Sequence, residues 1–195
     1  WSDKDYDHGR RHFLFFSGGG SVHKGLDLLL EAFVDTNLHL HICQHMEPMF
    51  KRVYKAELTA YPNIHVHGHL TMRSAAFENL AEQCNWVISA TCAEGQSGAV
   101  LECMAYGLIP ILPANANIDL GEHGVLLPAC TIDIIRSVVQ SNAEMAVGEC
   151  RRRSLITREI VKKEHSPEHF ENSFRSAVMQ IASARESKQP GVVPR

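Results

Sequence analysis

Short apolar runs alternate with amphipathic stretches along most of this chain. Residues 12–16 (H-F-L-F-F) form an apolar run bounded by glycine, which predicts a strand. Residues 26–34 then place Leu29, Leu30 and Phe33 at helical spacing. Residues 38–43 (L-H-L-H-I-C) alternate as a second strand, 49–60 read as a helix, and 64–67 as a short third strand. Residues 72–84 carry Ala75, Ala76, Leu80 and Ala81 on one side, the mark of an amphipathic helix. A fourth strand at 85–89 leads through a small polar loop into a helix over 98–106. Gly107 stops that helix, and 109–112 begin a fifth strand. A sixth strand is predicted at 124–127. Helices follow over 131–140 with Thr131 as N-cap, over 143–164, and from Ser166 and Pro167 to about Arg185. Strands that alternate with helices in this way predict an α/β fold with a doubly wound parallel sheet. Residues 1–11 read as a linker, 12–185 as the folded domain, and 186–195, with two prolines and a glycine, as a tail.

In such a sheet, ligands bind outside the carboxyl ends of the strands, so the loops there are where chemistry is expected. The first is Ser17-Gly18-Gly19-Gly20-Ser21-Val22-His23-Lys24-Gly25, between a strand and a helix. It fails as a dinucleotide fingerprint, because His23 stands where a third glycine is needed. It fails as a Walker A loop, because Lys24 is followed by Gly25 and Leu26. The fourth strand leads to Glu94-Gly95-Gln96-Ser97-Gly98-Ala99-Val100 and, one turn into the helix, Glu102. A helix N-terminus at Gly98 and Ala99 suits an anion, and two carboxylates suit hydroxyl groups. That polarity fits a nucleotide sugar. Taken singly, Glu94 reads as a surface loop residue and Glu102 as a solvated helix residue.

The spacing adds to this. Glu94, seven residues, Glu102, then C-M-A-Y-G-L-I-P resembles the E-x7-E signature of retaining GT-B glycosyltransferases, the large family-four group. Residues 24–33, K-G-L-D-L-L-L-E-A-F, resemble the same family's K-G-x-x-x-L-L-x-A-F helix. The likeness runs over roughly residues 13–128. It implies the Rossmann-like C-terminal half of a GT-B fold. It also implies transfer of a sugar from a nucleotide diphospho-sugar to an unknown acceptor with retention, a hexosyltransferase type of reaction, and no divalent metal or other cofactor. Lys24 and Glu94 are then the catalytic candidates. Donor-binding candidates are Gly18, Gly19, Gly20, Lys24, His69, Leu70, Glu94, Gly95, Gln96, Ser97, Gly98, Ala99, Val100 and Glu102. The family's usual arginine upstream of the lysine is absent; Ser17-Gly18-Gly19 stands there. The acceptor-binding domain should precede Trp1 and is missing from this stretch. Two other readings are a non-catalytic nucleotide-sugar-binding module and a GT-B-type sugar-nucleotide epimerase.

Composition narrows the partners. Apolar content is 45%, charged content 21% and net charge -3. No global basic field draws in nucleic acid. The Arg151-Arg152-Arg153 triplet reads as a solvated helix face. No apolar run is long enough to span a bilayer and no signal peptide is evident. The six cysteines show no C-x-x-C pair, which suits reduced thiols in the cytoplasm, with the inner face of a membrane as a second location. His39 and His41 share one face of the second strand, and His65 and His67 one face of the third. No cysteine or carboxylate completes a zinc set at ligand spacing, so hydrogen-bonded histidines are the expectation and no metal is assigned.

Overall fold

The computed structural model describes residues 4–186. Residues 1–3 of the N-terminal segment, and the tail beyond Glu186, lie outside the described residues. Six strands form one parallel sheet: β1 His12–Phe16, β2 His39–Cys43, β3 Ile64–Val66, β4 Trp86–Ile88, β5 Ile109–Leu112 and β6 Val125–Leu126. Their spatial order is β3-β2-β1-β4-β5-β6. The order reverses between β1 and β4, so the crevice of this doubly wound sheet opens there.

The helices are α1 Tyr6–Gly9, α2 Leu26–Phe33, α3 Pro48–Val53, α4 Lys55–Ala60, α5 Ala75–Gln83, α6 Gly98–Ala105, α7 Ile132–Ala143, α8 Val147–Glu164 and α9 Pro167–Glu186. A 3-10 turn spans Ala114–Ala116. Strand side chains alternate between faces, and each face has its own core. Phe13, Phe15, Leu40, Ile42, Trp86 and Ile88 pack with Leu29, Leu30 and Phe33 of α2 and Ile135 and Val139 of α7. Leu14, Phe16, Cys43 and Val87 pack with Phe77 and Leu80 of α5 and Val100, Cys103 and Met104 of α6. Burying one such large apolar side chain contributes roughly 1.5–3 kcal/mol. Coverage on both faces explains why β1, after His12, and β5 are apolar and buried throughout.

The structure departs from the sequence expectations in four places. The linker over 1–11 is, from residue 4 onward, part of the fold. Asp5 caps α1 by accepting from the Asp7 and His8 amides. The Lys4 ammonium donates to the Ala81 (3.0 Å) and Cys84 carbonyls at the end of α5. Asn85 donates from Nδ2 to the Tyr6 carbonyl at 2.9 Å. Burial lowers the Lys4 pKa to about 8. The helix expected over 49–60 breaks into α3 and α4 at Tyr54, whose φ and ψ are -95° and 28°. The helix expected from 143 begins at Val147. Thr131 stands at the N-cap of α7, but its side chain makes no capping hydrogen bond. Ser166 does cap α9, accepting from His169 N at 3.1 Å.

The histidines of β2 and β3 are hydrogen-bonded across the strands, and His12 of β1 joins them. Among the described residues, no group of three or more His, Cys, Asp or Glu is placed to hold a metal ion. None of the described helices is long and apolar enough to cross a membrane.

Candidate donor-binding site

Three loops meet beyond the carboxyl ends of β1, β4 and β5. The first, residues 17–25, turns back through Gly20 (φ 79°) and Gly25 (φ 73°). At Gly25 a side chain would also collide with Ala90, its Cβ coming within 2.6 Å of the alanine Cβ, so this turn and the end of β4 touch only because the residue is glycine. The His23 carbonyl accepts from Cys92 N at 2.9 Å, and the His23 ring bonds the Ala93 carbonyl at 2.9 Å. Asn115, after β5, donates from Nδ2 to the carbonyls of Thr91 (3.1 Å) and Cys92. Asn117, at φ 53°, donates to the Glu94 carbonyl. The loop bearing Glu94 is thus held on both sides by its neighbours.

That bracing brings the two catalytic candidates together. Lys24 Nζ lies 2.5 Å from Glu94 Oε1, and the two side chains are only 19% and 17% exposed. They are 70 positions apart in the chain. A part-buried pair of this kind is costly to leave half-made, because removing one partner strands the other charge.

The glycine loop is occupied in an unforeseen way. Glu47, from the loop after β2, accepts from the amides of Gly20 (2.9 Å) and Ser21 (3.3 Å) and from Ser21 Oγ at 2.5 Å. The Ser21 hydroxyl is the leading cause of a lowered Glu47 carboxyl pKa. Gln44 Nε2 donates to the same Ser21 oxygen. The Gly20 amide, expected at the donor, is therefore spent on a carboxylate. A Cβ at Gly18 would meet nothing within 4 Å, so that part of the loop is open.

On the other side of the crevice, Ser97 caps α6 by accepting from Val100 N at 3.4 Å. The Gly98 and Ala99 amides belong to the first turn, whose N–H groups have no partner within the helix. Val100 departs from its expected place at the donor: its amide is taken by Ser97 and its side chain is core. Gly95 stands in open space, and Gln96 lines a groove with Leu101 and the start of α9. Glu102 lies one turn into α6 and lines a pocket of about 270 Å³ with Arg73, Gly98, Leu101, Ala105, Val161 and His165. Arg73 Nη2 is 3.8 Å from Glu102 Oε1. Arg73 holds a left-handed backbone at φ 61°, which is uncommon for a side-chain-bearing residue outside functional turns. The loop over 67–74 that presents it also carries His69, stacked on His45 at 4.4 Å, and Leu70, packed against the α5–α6 core.

Glu47, Arg73, Asn115 and Asn117 were not foreseen. Each reaches the site from another loop and carries no motif of its own. The left-handed turn at Arg73, just before the N-cap Ser74, is a tertiary feature.

Residues 10–141 match the family model of the glycosyl transferases group 1, which is well over half of the chain. The chain belongs to the group 1 glycosyl transferases. A search of curated proteins finds no match. Among solved structures, the sucrose-phosphate synthase of Thermosynechococcus elongatus superposes with a TM-score of 0.71 at 16% identity, covering 89% of this chain and 46% of that one. An Anabaena protein solved with UDP and glucose gives 0.69 at 11% identity, covering 89% and 49%. The C-terminal domain of a group 1 family glycosyl transferase from Francisella tularensis gives 0.68 at 13% identity, covering 86% and 95%. At these identities the likeness is one of fold. This transferase chain spans nearly all of the isolated Francisella domain and under half of the other two chains. Its sheet and flanking helices are those of the C-terminal, Rossmann-like domain of a GT-B glycosyltransferase.

Proposed function

We propose that this domain binds a nucleoside diphospho-sugar and forms the donor half of a glycosyltransferase that acts with retention on an acceptor held by a second domain. The observation that carries this reading is the Lys24–Glu94 pair beyond the carboxyl ends of β1 and β4, at the switch point of the sheet, on a loop that leads into the α6 N-terminus and its pocket-lining Glu102. In this reading Lys24 turns from Glu94 to the diphosphate and offsets the charge that grows on the leaving group, an electrostatic form of catalysis. Glu94, freed, accepts from sugar hydroxyls near the reacting carbon. Glu102 accepts from the two ribose hydroxyls, and the Gly98 and Ala99 amides face the phosphates. The phosphates are neutralised by a side chain and backbone amides, so no divalent ion enters. A cytoplasmic donor pool suits this chemistry, and a hexose is the proposed sugar. The UDP and glucose in the Anabaena relative make UDP-glucose the first donor to try.

A second reading, binding without transfer, is favoured by one observation. The loop before Lys24 offers Gly18 and Gly19 in place of a second cation, and Glu47 adds a negative charge there. The test is turnover by this chain joined to an acceptor-binding domain, with a nucleotide sugar and with analysis of the product's anomeric carbon. Transfer with retained configuration is expected. Inversion contradicts the retaining mechanism, and tight donor binding with no transfer favours the module.

A further inference from the structure

Five histidines line the β3-β2-β1 edge on the sheet face that also packs α5 and α6. His12 Nδ1 lies 2.9 Å from His41 Nε2, and His41 Nδ1 lies 3.0 Å from His67 Nε2. His39 Nδ1 lies 2.9 Å from His65 Nε2. The rings also stack: His12 on His39 at 4.5 Å and His41 on His65 at 4.6 Å. The three-ring wire runs from His12 and His41, which are buried, to His67, which is exposed. It climbs toward the carboxyl ends of the strands and ends at the start of the 67–74 loop.

Proton counting limits what this ladder holds. Each nitrogen–nitrogen contact needs one N–H and one bare nitrogen. In the wire of three rings, two contacts take one proton each and the two outer nitrogens take one each, four in all. Three neutral rings carry three. One extra proton fits; a second sets N–H against N–H. By the same count the His39–His65 pair holds one extra proton. At most two of the five rings are therefore charged while the ladder stays intact. The groups that bear on it electrostatically are the other histidines, His8, whose ring lies tilted against His12 at 4.2 Å, and Arg11, and all of them oppose protonation. Burial first, then the neighbouring histidines, lowers His12 to about 4 and His41 to about 2 and lowers His39 and His65 as well, while burial alone lowers His67. Groups depressed in this way stabilise the fold fully above their ordinary value of 6.5, and that stability is lost as pH falls toward the depressed values.

We propose that the histidine ladder is a proton-sensitive latch on the donor site: acidification releases β3 and, with it, the 67–74 loop that carries His69, Leu70 and Arg73. β3 is the weak point, since it has three residues, lies at the sheet edge and, among the described residues, pairs only with β2. His67 N also donates to Ile42 O at 2.9 Å, so the loop starts from the last ladder rung. The latch rests on the donor-site reading for its effect on ligand, but not for its structural part.

Two measurements on the 195-residue chain test it. Hydrogen exchange, corrected for intrinsic rate, is followed from about pH 7.5 to about pH 5, the range in which unperturbed histidine titrates. Residues 64–74 should lose protection on acidification while α2 and β1 keep theirs. UDP-glucose, whose phosphates do not titrate there, is titrated over the same range. Its affinity should fall by up to about tenfold per pH unit for each linked proton. His67→Gln, an exposed and non-titrating replacement, should flatten both profiles; His41→Gln is the stronger but riskier form. Unchanged protection at 64–74, uniform loss across the sheet, or profiles that His67→Gln leaves as steep as before would overturn the latch. If UDP-glucose fails to bind at any pH, the donor reading falls while the exchange profile still judges the release of β3.

Discussion

The two banks of the crevice are built differently. The α6 bank carries Glu94 and Glu102 with seven residues between them, and its serine N-cap takes the Val100 amide, so the Gly98 and Ala99 amides are the first-turn groups with no partner within the helix. The glycine-loop bank offers one cation, Lys24, tied to Glu94, and its Gly20 and Ser21 amides are already taken by Glu47. One bank is arranged for hydroxyl groups. The other is arranged so that a single lysine must meet the diphosphate. The contrast implies that affinity for the phosphates rests on Lys24 and the α6 amides, and that the glycine loop shapes the site more than it binds.

The largest effect should come from Lys24→Ala. It removes the cation and leaves Glu94 unpaired and part-buried beside an incoming anion. Nucleoside diphosphate affinity should fall by roughly 3 kcal/mol, over a hundredfold, in a calorimetric titration. Glu102→Gln comes next: the carboxylate is proposed to accept from two adjacent hydroxyls, the glutamine keeps one acceptor oxygen, and the loss of one charge-assisted bond costs roughly 1.5–3 kcal/mol. It should weaken the bare diphosphate and its sugar conjugate alike. Glu47→Gln sharpens the comparison from the other bank. Taking away a solvent-screened negative charge should tighten diphosphate binding by no more than about 1 kcal/mol. Glu94→Gln releases Lys24 from its ion pair, so it should not weaken the bare diphosphate and should weaken only the sugar conjugate. If Glu94→Gln weakens the diphosphate as much as Glu102→Gln does, the division between sugar and ribose is wrong.

The sheet was legible because its signals are local. β1 and β5 stand at the residues that their apolar runs mark, and Gly107 ends α6 at φ 75°. The N-terminal segment was not legible as part of the fold. Its anchors are a lysine on two carbonyls about 80 positions away and an asparagine on a carbonyl, and neither leaves a periodic trace. The same holds at the site. Glu94 and Glu102 announce themselves by spacing, whereas Arg73 and Glu47 reach the crevice through a left-handed turn and a cross-loop hydrogen bond. The histidine faces of β2 and β3 followed from strand alternation. His12 joins them only through the register that sets it beside His39.

The most direct test of the account is a calorimetric titration of the unmodified 195-residue chain with UDP, GDP and ADP, in EDTA and again with magnesium. The account predicts saturable binding of at least one of the three, at the same affinity under both conditions. Absence of heat and of any thermal shift with all three, or binding that EDTA abolishes and magnesium restores, would contradict a donor site built on Lys24 and the α6 amides.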